Sequence, residues 1–505
     1  MHRVKKTGVA VWALSSCMIA AAQTQAPQQK DTAKKPEIHI TPAQAKELFA
    51  SIDKILQFAS SDSKLAVKHE VKRRLTTREA VEKYLVDKMH DDKDAKRMER
   101  SEIVLKKFGL LDRDFQLLPF LVSLLKEQIA GYYDSKTKTV NMLDWIEPDA
   151  QKPVMAHELT HALQDQRVNL DKWEDDSTEL DVSKDWQQDL RHVSTDEDAT
   201  AREAVLEGQA MAVYVDYSLS PSGKSIKTAP ELVENLTENM TDDSDSPVLR
   251  RAPLLLQESL LFPYKDGLKF EAALIKDKGL ESAFAGVLDR PPATSFEIMN
   301  PHAYERGRKP TLLQMPDIHP VIDAAYNPYD IGVMGELDVR ILAQLFGGDQ
   351  TAAMLTPSWD GGIYYAAQKR DAADKSSTAS VSLLYLSQWQ SPEAAALFVK
   401  MYAGELSKKY SNVKLEANDE GSGDEQVYTT NEGPVLIATS GKDVFVSESF
   451  DLTTARKLEL LMLGAQKSSG MQEAASLKPL QMPGLTSGLV RFMGGCGVMK
   501  AALLH

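Results

Sequence analysis

Apolar residues recur every three to four positions from Thr41 to about Glu127, in stretches such as "REAVEKYLVDKM" and "FQLLPFLVSLLKEQI", so this part of the chain is predicted to be helical. "TPAQAKELF" opens it with a threonine N-cap and a proline at the first helical position, which places the start of folded structure near Thr41. At residues 131–143 the period changes to two. "GYYDSKTKTVNML" alternates apolar and polar residues around a turn and predicts a short hairpin. Helix is expected to return at Pro153, and a second strong helix to run from Ala199 to about Tyr217. The acidic, weakly periodic stretch 171–198 between them reads as a solvated connection.

After residue 350 the pattern turns to strands, in "GGIYYAAQKR" and "TASVSLLYLSQW", then to a Ser-Pro-started helix in "SPEAAALFVKMYAGELSKKY". "EQVYTTN", "PVLIATS" and "DVFVSESF" predict three more strands, with Gly441 in the turn of the last pair, before a closing helix in "TTARKLELLMLGAQ". The expected fold class is α+β: a mostly helical domain over 41–349 with a small edge-strand sheet, and a C-terminal α/β sandwich module over 350–470. Residues 471–505, rich in Gly, Met and small side chains, are expected to be a poorly ordered tail.

Composition narrows the setting. A chain of 505 residues with 43% hydrophobic content holds enough apolar side chains for more than one folded unit. Its formal charge of -14 argues against nucleic acid as a partner, because phosphate binding needs a basic surface. The start "MHRVKK", the apolar run "GVAVWALSSCMIAAA" and the small residues Ala20 and Ala22 before Gln23 read as an export signal over 1–22. The mature chain is therefore expected to be secreted or periplasmic, with no transmembrane span and a flexible linker over 23–40. A rival reading makes "LSSC" a lipoprotein box with Cys17 as the anchor. Cys496 is the other cysteine, so a cleaved chain retains one thiol and forms no internal disulfide.

The candidate chemistry lies in "VMAHELTHALQDQ", residues 154–166. His157 and His161 are one helical turn apart, so both imidazoles project from one face and can grip one ion at a Zn–N distance of ~2.0–2.1 Å. Glu158 lies about 100° round the helix, where a carboxylate serves as general base without being a ligand. A catalytic zinc normally takes three protein ligands. The best source of the third is "DATAREAVLEGQAMAVYVDY", a helix whose start Ser194 with Glu197, or Thr195 with Asp198, can cap. There Glu207 sits among Val205, Leu206, Ala210, Met211 and Val213, and a buried carboxylate in such company needs a partner. Gly208, placed mid-helix at a cost of ~1 kcal/mol against alanine, implies close packing at that turn. Glu203, one turn earlier, is the alternative ligand or a residue orienting a ligand histidine, and His192 is a further candidate.

"HELTH" followed by "EGQA" resembles the gluzincin zinc metallopeptidases, in which a downstream helix supplies a glutamate ligand; the matching position is Glu207. The spacing from His161 is longer than in thermolysin or the zinc aminopeptidases. A closer resemblance is to a group of exported bacterial zincin-like proteins. It is carried by "AGYYD" at 130–134, "HELTHALQDQ", "EGQA", "FPYKDGLKF" from 262, "PPATSFEIMNP" from 291, Gly335-Glu336 and "WDGG" from Trp359. Where that group has His-Pro, this chain has Asn300-Pro301, with His302 two positions on. The resemblance implies a zincin-like catalytic domain holding one zinc ion and hydrolysing a polypeptide substrate.

Such hydrolysis also needs an oxyanion donor or substrate contacts, for which Tyr132, Tyr133, Tyr264, His302 and Tyr304 are candidates. The strand in "KTKTVNML" is the expected edge along which an extended peptide aligns. A second reading, from another class, is an exported zinc-containing binding or scaffold protein of the cell envelope without proteolytic activity.

Overall fold

The computed structural model describes residues 39–91, 93–174, 185–187, 197–240, 246–416, 425–468 and 485–494. The expected export signal, nearly all of the linker, His192 and the caps Ser194 and Thr195 lie outside these residues.

Helix α1 (Pro42–Ser63) begins as expected: the Thr41 side chain accepts from Gln44 N–H while the Gln44 side chain accepts from Thr41 N–H. Three more helices follow, α2 (Arg78–Asp91), α3 (Lys93–Phe108) and α4 (Leu117–Gln128). Between α1 and α2 lies a strand that the helical pattern hides, β1 (Lys72–Thr76). Its sequence KRRLT suits a helix by propensity, but its backbone pairs in parallel with β3 (Thr139–Leu143), and that non-local pairing decides its state.

The hairpin predicted at 131–143 is β2 (Tyr132–Asp134) with β3, joined antiparallel with Tyr133 opposite Val140. The small sheet has the order β1-β3-β2. This corrects the assignment of the substrate edge. Strand β3 is the middle strand, paired on both sides and buried throughout, so the outer strands β1 and β2 provide the edges.

Helix α5 (Pro148–Val168) carries the paired histidines. It starts five residues earlier than expected, with Pro148 rather than Pro153 at its first position; Pro153 lies inside it. Helix α6 (Asp198–Leu219) matches the second predicted helix, although Glu197 at its N-cap makes no capping bond and directs its carboxylate to Ser295. Helix α7 (Leu254–Lys278) lies against α6. At their crossing a Cβ on Gly208 would stand 2.3 Å from Gly267 O, and one on Gly267 would stand 2.2 Å from Ala204 O. Glycine at both positions is what lets the two backbones touch. Short helices α8 (Ser295–Met299) and α9 (Pro301–Arg306) follow, then α10 (Glu336–Leu355).

The larger sheet is antiparallel with seven strands. Its order is β4 (Tyr326–Val333), β5 (Trp359–Lys369), β6 (Val381–Trp389), β10 (Asp443–Glu448), β9 (Val435–Ser440), β8 (Glu425–Thr429) and β7 (Lys414–Leu415). On one face Ile363, Tyr365 and Ala367 pack with Leu458 and Met462 of α12 (Leu452–Ser468). On the other, Tyr364 and Ala366 join Phe398 and Tyr402 of α11 (Pro392–Gly404) in the apolar core that also contains the N-terminal helices. Burial on both faces explains why β6 is an unbroken buried run.

The expected module boundary near 350 falls inside α10, and the sheet already begins at Tyr326. Lys107 of α3, fully buried, donates to Glu432 Oε2 at 2.9 Å and to Ser449 Oγ at 2.7 Å, joining the N-terminal helices to the sheet. The described residues of the mixed α+β architecture therefore form one compact unit. Part of the expected tail is ordered as well. Helix α13 (Ser487–Gly494) packs on α6 and α7 with Leu485, Leu489, Val490 and Met493 buried.

Candidate metal centre

Three side chains from two helices converge. His157 and His161 lie on one face of α5, and Glu207 reaches them from α6 at the turn that the Gly208–Gly267 contact holds against α7. His157 Nε2 is 3.1 Å from His161 Nε2 and 2.9 Å from Glu207 Oε2, and the His161 Nε2 to Glu207 Oε2 distance is 3.6 Å. Glu203, although buried, stands outside this group. Of the two carboxylates the sequence offered, the structure brings Glu207 to the histidines.

Donor type and spacing both suit zinc. A circle through three atoms 2.9, 3.1 and 3.6 Å apart has a radius of about 1.9 Å, just inside the ~2.0–2.1 Å of a zinc–ligand bond. Glu207 Oε2 is buried with the His157 imidazole nitrogen 2.9 Å away. The three atoms lie close enough together to share one ion. Two imidazole nitrogens and a carboxylate oxygen there fit a tetrahedral ion with one position left over.

The charges fit too. Burial pushes the Glu207 carboxyl up, but the two imidazoles outweigh it and hold the group down at about 2. Burial pushes His161 down, and the Glu207 carboxylate overcomes this and lifts it to about 10, whereas burial wins at His157 and lowers it. A buried carboxylate of this strength draws positive charge into the site, and a divalent cation answers that demand while leaving both imidazoles neutral.

A chain of amides orients His161. Its Nδ1 is 2.8 Å from Gln164 Oε1, so an Nδ1–H donated there leaves Nε2 with its lone pair toward the triad. Gln164 Nε2 donates in turn to Gln209 Oε1 at 3.0 Å and Leu206 O at 3.1 Å, and Gln209 Nε2 donates to Ala283 O and Phe284 O. Both glutamines are fully buried. Sequence reasoning passed over them, although Gln164 follows His161 by three positions and Gln209 follows Glu207 by two. The available signal was a long amide on an otherwise apolar helix face.

Glu158 is 1% exposed, and its Oε2 has no hydrogen-bond partner among the described residues. Burial raises its carboxyl to about 8; His161 and the Tyr133 backbone N–H pull it down, and the Glu207 charge pushes it further up. The contact from Tyr133 N–H shows that β2, not β3, is the strand whose edge faces the site.

The other five candidates separate clearly. The Tyr264 ring stacks on His157 with centroids 6.2 Å apart and planes inclined by 25°. Tyr132 stacks on Tyr84 at 4.6 Å, and the Tyr133 hydroxyl donates to Asp165 at 2.7 Å, so its contribution to the site is its backbone. The Tyr304 hydroxyl donates to Arg290 O at 2.7 Å. His302 is exposed beside Asp277 and Glu305, and it does not stand in for a histidine at position 300, where Asn300 donates to Glu336 at 2.7 Å. Tyr264 is the one hydroxyl-bearing candidate packed on a triad residue.

Comparison of the chain with family models, with curated proteins and with solved structures finds no match.

Proposed function

We propose that the chain is an exported, zinc-dependent peptidase of zincin-like type, with His157, His161 and Glu207 as ligands and Glu158 as general base. The observation that carries this reading is the Glu158 carboxylate, buried beside the triad with an oxygen that no group among the described residues engages. A site built only to hold a metal has no use for it. A zinc ion held by the triad supplies Lewis-acid polarisation of a carbonyl and lowers the pKa of water.

The chain's own residues do the rest. Glu158 Oε2 would accept the proton of the attacking water and deliver it to the leaving amine; burial raises its carboxyl in the metal-free protein, and the divalent charge beside it would draw it back toward the ionised form a base needs. Gln164 keeps His161 in the tautomer that presents Nε2. Strand β2 offers an edge for an extended polypeptide, and the Tyr264 hydroxyl is the candidate donor to the developing oxyanion.

A second reading, an exported zinc-containing binding or scaffold protein, is favoured by one observation. The four residues are 1%, 1%, 8% and 3% exposed for His157, Glu158, His161 and Glu207, which suits a structural ion. Zinc content and cleavage of a broad peptide library, compared between wild type and Glu158→Gln, separate the two. The peptidase reading expects equal zinc and a loss of ~10²-fold or more in hydrolysis in the variant. Stoichiometric zinc with no cleavage by the wild type, or undiminished cleavage by Glu158→Gln, sinks it.

A further inference from the structure

We infer that Asp165 is a positioning residue, holding the edge of β2 fixed against the ligand helix so that an extended polypeptide can align beside Glu158; the inference rests on the peptidase reading above. Asp165 follows His161 by four positions on α5, so its side chain leaves the same face one turn on. That side chain is 2% exposed. Its Oδ2 accepts from the Tyr133 hydroxyl of β2 at 2.7 Å, and its Oδ1 accepts from Lys138 Nζ at 2.9 Å and from Leu170 N–H at 3.0 Å. One buried carboxylate thus ties together a strand, the turn behind it and the end of the helix.

Tyr133 links this carboxylate to the site through its own backbone. In an antiparallel ladder successive residues turn their N–H and C=O alternately toward the partner strand and away from it. Tyr133 N–H goes to the Glu158 carboxylate rather than to Val140 opposite it on β3, so both main-chain groups of Tyr133 lie on the outer edge, the one that faces the site. Its hydroxyl and its N–H therefore fasten β2 to α5 at two points, Asp165 and Glu158, two turns apart on the helix.

The strand needs such a brace. With three residues paired on one side only, β2 is too short to hold its edge unaided. A substrate aligned by main-chain pairing requires that edge to stay within about 0.5 Å of its place. The hairpin turn depends on the same carboxylate: Lys138 has a φ of 56°, in the left-handed region that disfavours residues with a Cβ, and its ion pair with Asp165 offsets the strain. A carboxylate that merely paired a surface lysine would stand in solvent. This one is buried and gives an oxygen to the strand beside the site.

Three measurements on Tyr133→Phe, Asp165→Ala and the double variant test this: amide hydrogen exchange over residues 130–136 in the metal-free protein, zinc content, and kinetics on extended peptides. Each single substitution is expected to speed exchange in β2 about tenfold, as loss of a charge-assisted hydrogen bond should, and the double variant no further than Asp165→Ala. Zinc content stays at the wild-type level. KM rises about tenfold with kcat nearly unchanged, because alignment is lost from ground and transition states alike. Tyr133→Phe removes a single oxygen from a half-buried ring, so it decides the matter even if Asp165→Ala fails to fold. Exchange in β2 as slow as wild type in Tyr133→Phe, zinc lost together with activity, or kcat falling at constant KM overturns the inference. A wild type that cleaves nothing sinks the peptidase reading by itself, and the exchange rates then decide whether Asp165 holds the strand.

Discussion

Replacing Gly208 by alanine sets two effects of opposite sign against each other. Helix propensity alone favours the change, by ~1 kcal/mol for a glycine in a helix interior. Packing opposes it: the added Cβ would stand 2.3 Å from Gly267 O, 2.4 Å from Gly267 C and 2.9 Å from Gly267 Cα. All three are backbone atoms, so no side chain can rotate away, and α6 must move from α7 by roughly 1 Å to restore van der Waals contact. Overpacking of this kind costs ~1–3 kcal/mol, and a backbone clash belongs at the upper end. The net expectation is destabilisation by about 2 kcal/mol. The same shift carries Glu207, the adjacent residue, out of register with the histidines, and metal sites tolerate only about 0.2 Å in ligand distance. Zinc affinity is therefore expected to fall at least about tenfold. Urea denaturation of the metal-free protein measures the first effect, and competition against a chromophoric chelator the second. A variant as stable as wild type, or more so, with unchanged zinc affinity would refute the close crossing as the device that places Glu207.

Three further outcomes are expected. Gln164→Ala removes the acceptor for His161 Nδ1 and leaves Gln209 Oε1 without its donor, so zinc affinity should drop ~10–100-fold with little change in helix content by circular dichroism. Glu207→Gln should abolish tight zinc binding while Glu203→Gln retains it; the opposite result in equilibrium dialysis would move the ligand one turn along α6. Glu197 is held protonated to about 8, chiefly by burial, with Ser295 pulling the other way and Asp338 adding to the rise. Unfolded, a glutamate loses its proton near ~4.3, so the folded state binds the extra proton between there and about 8, and stability falls as pH rises through that window by up to ~1.4 kcal/mol per unit. Denaturation midpoints should decline less from pH 5 to 8 in Glu197→Gln than in wild type, and parallel declines would refute the assignment.

The histidine pair was legible because its geometry is local: four residues on a helix fix which side chains share a face, whatever lies elsewhere. Glu207 was legible for a different reason. A carboxylate among apolar neighbours and next to a mid-helix glycine is a local anomaly that demands a distant partner, and α5 with α7 supplied both halves of the answer. The strands β5, β6, β8, β9 and β10 and the helices α11 and α12 stood out because their pattern agrees with their final burial.

What stayed hidden was non-local in each case. Strand β1 is held by pairing with a segment more than sixty residues on, and its charged side chains carry no sign of that. The placement of the small sheet's edge depended on that same unseen strand, since β3 becomes central only once β1 is added. The module boundary failed through Lys107, Glu432, Lys409 and Glu448, charges that a sequence reader places on the surface. Lys107 of α3 pairs with Glu432 across the joint to the large sheet, and Lys409 pairs with Glu448 within the C-terminal part. Helix α13 was read as tail because eight residues are too short to fold alone; the face made by Leu489, Val490 and Met493 becomes a helix only against α6 and α7. At the candidate metal centre the two ligand helices were visible beforehand and only the partner of Gly208 was not: a local motif announces the chemistry, while its geometry depends on a backbone contact between two glycines fifty-nine positions apart.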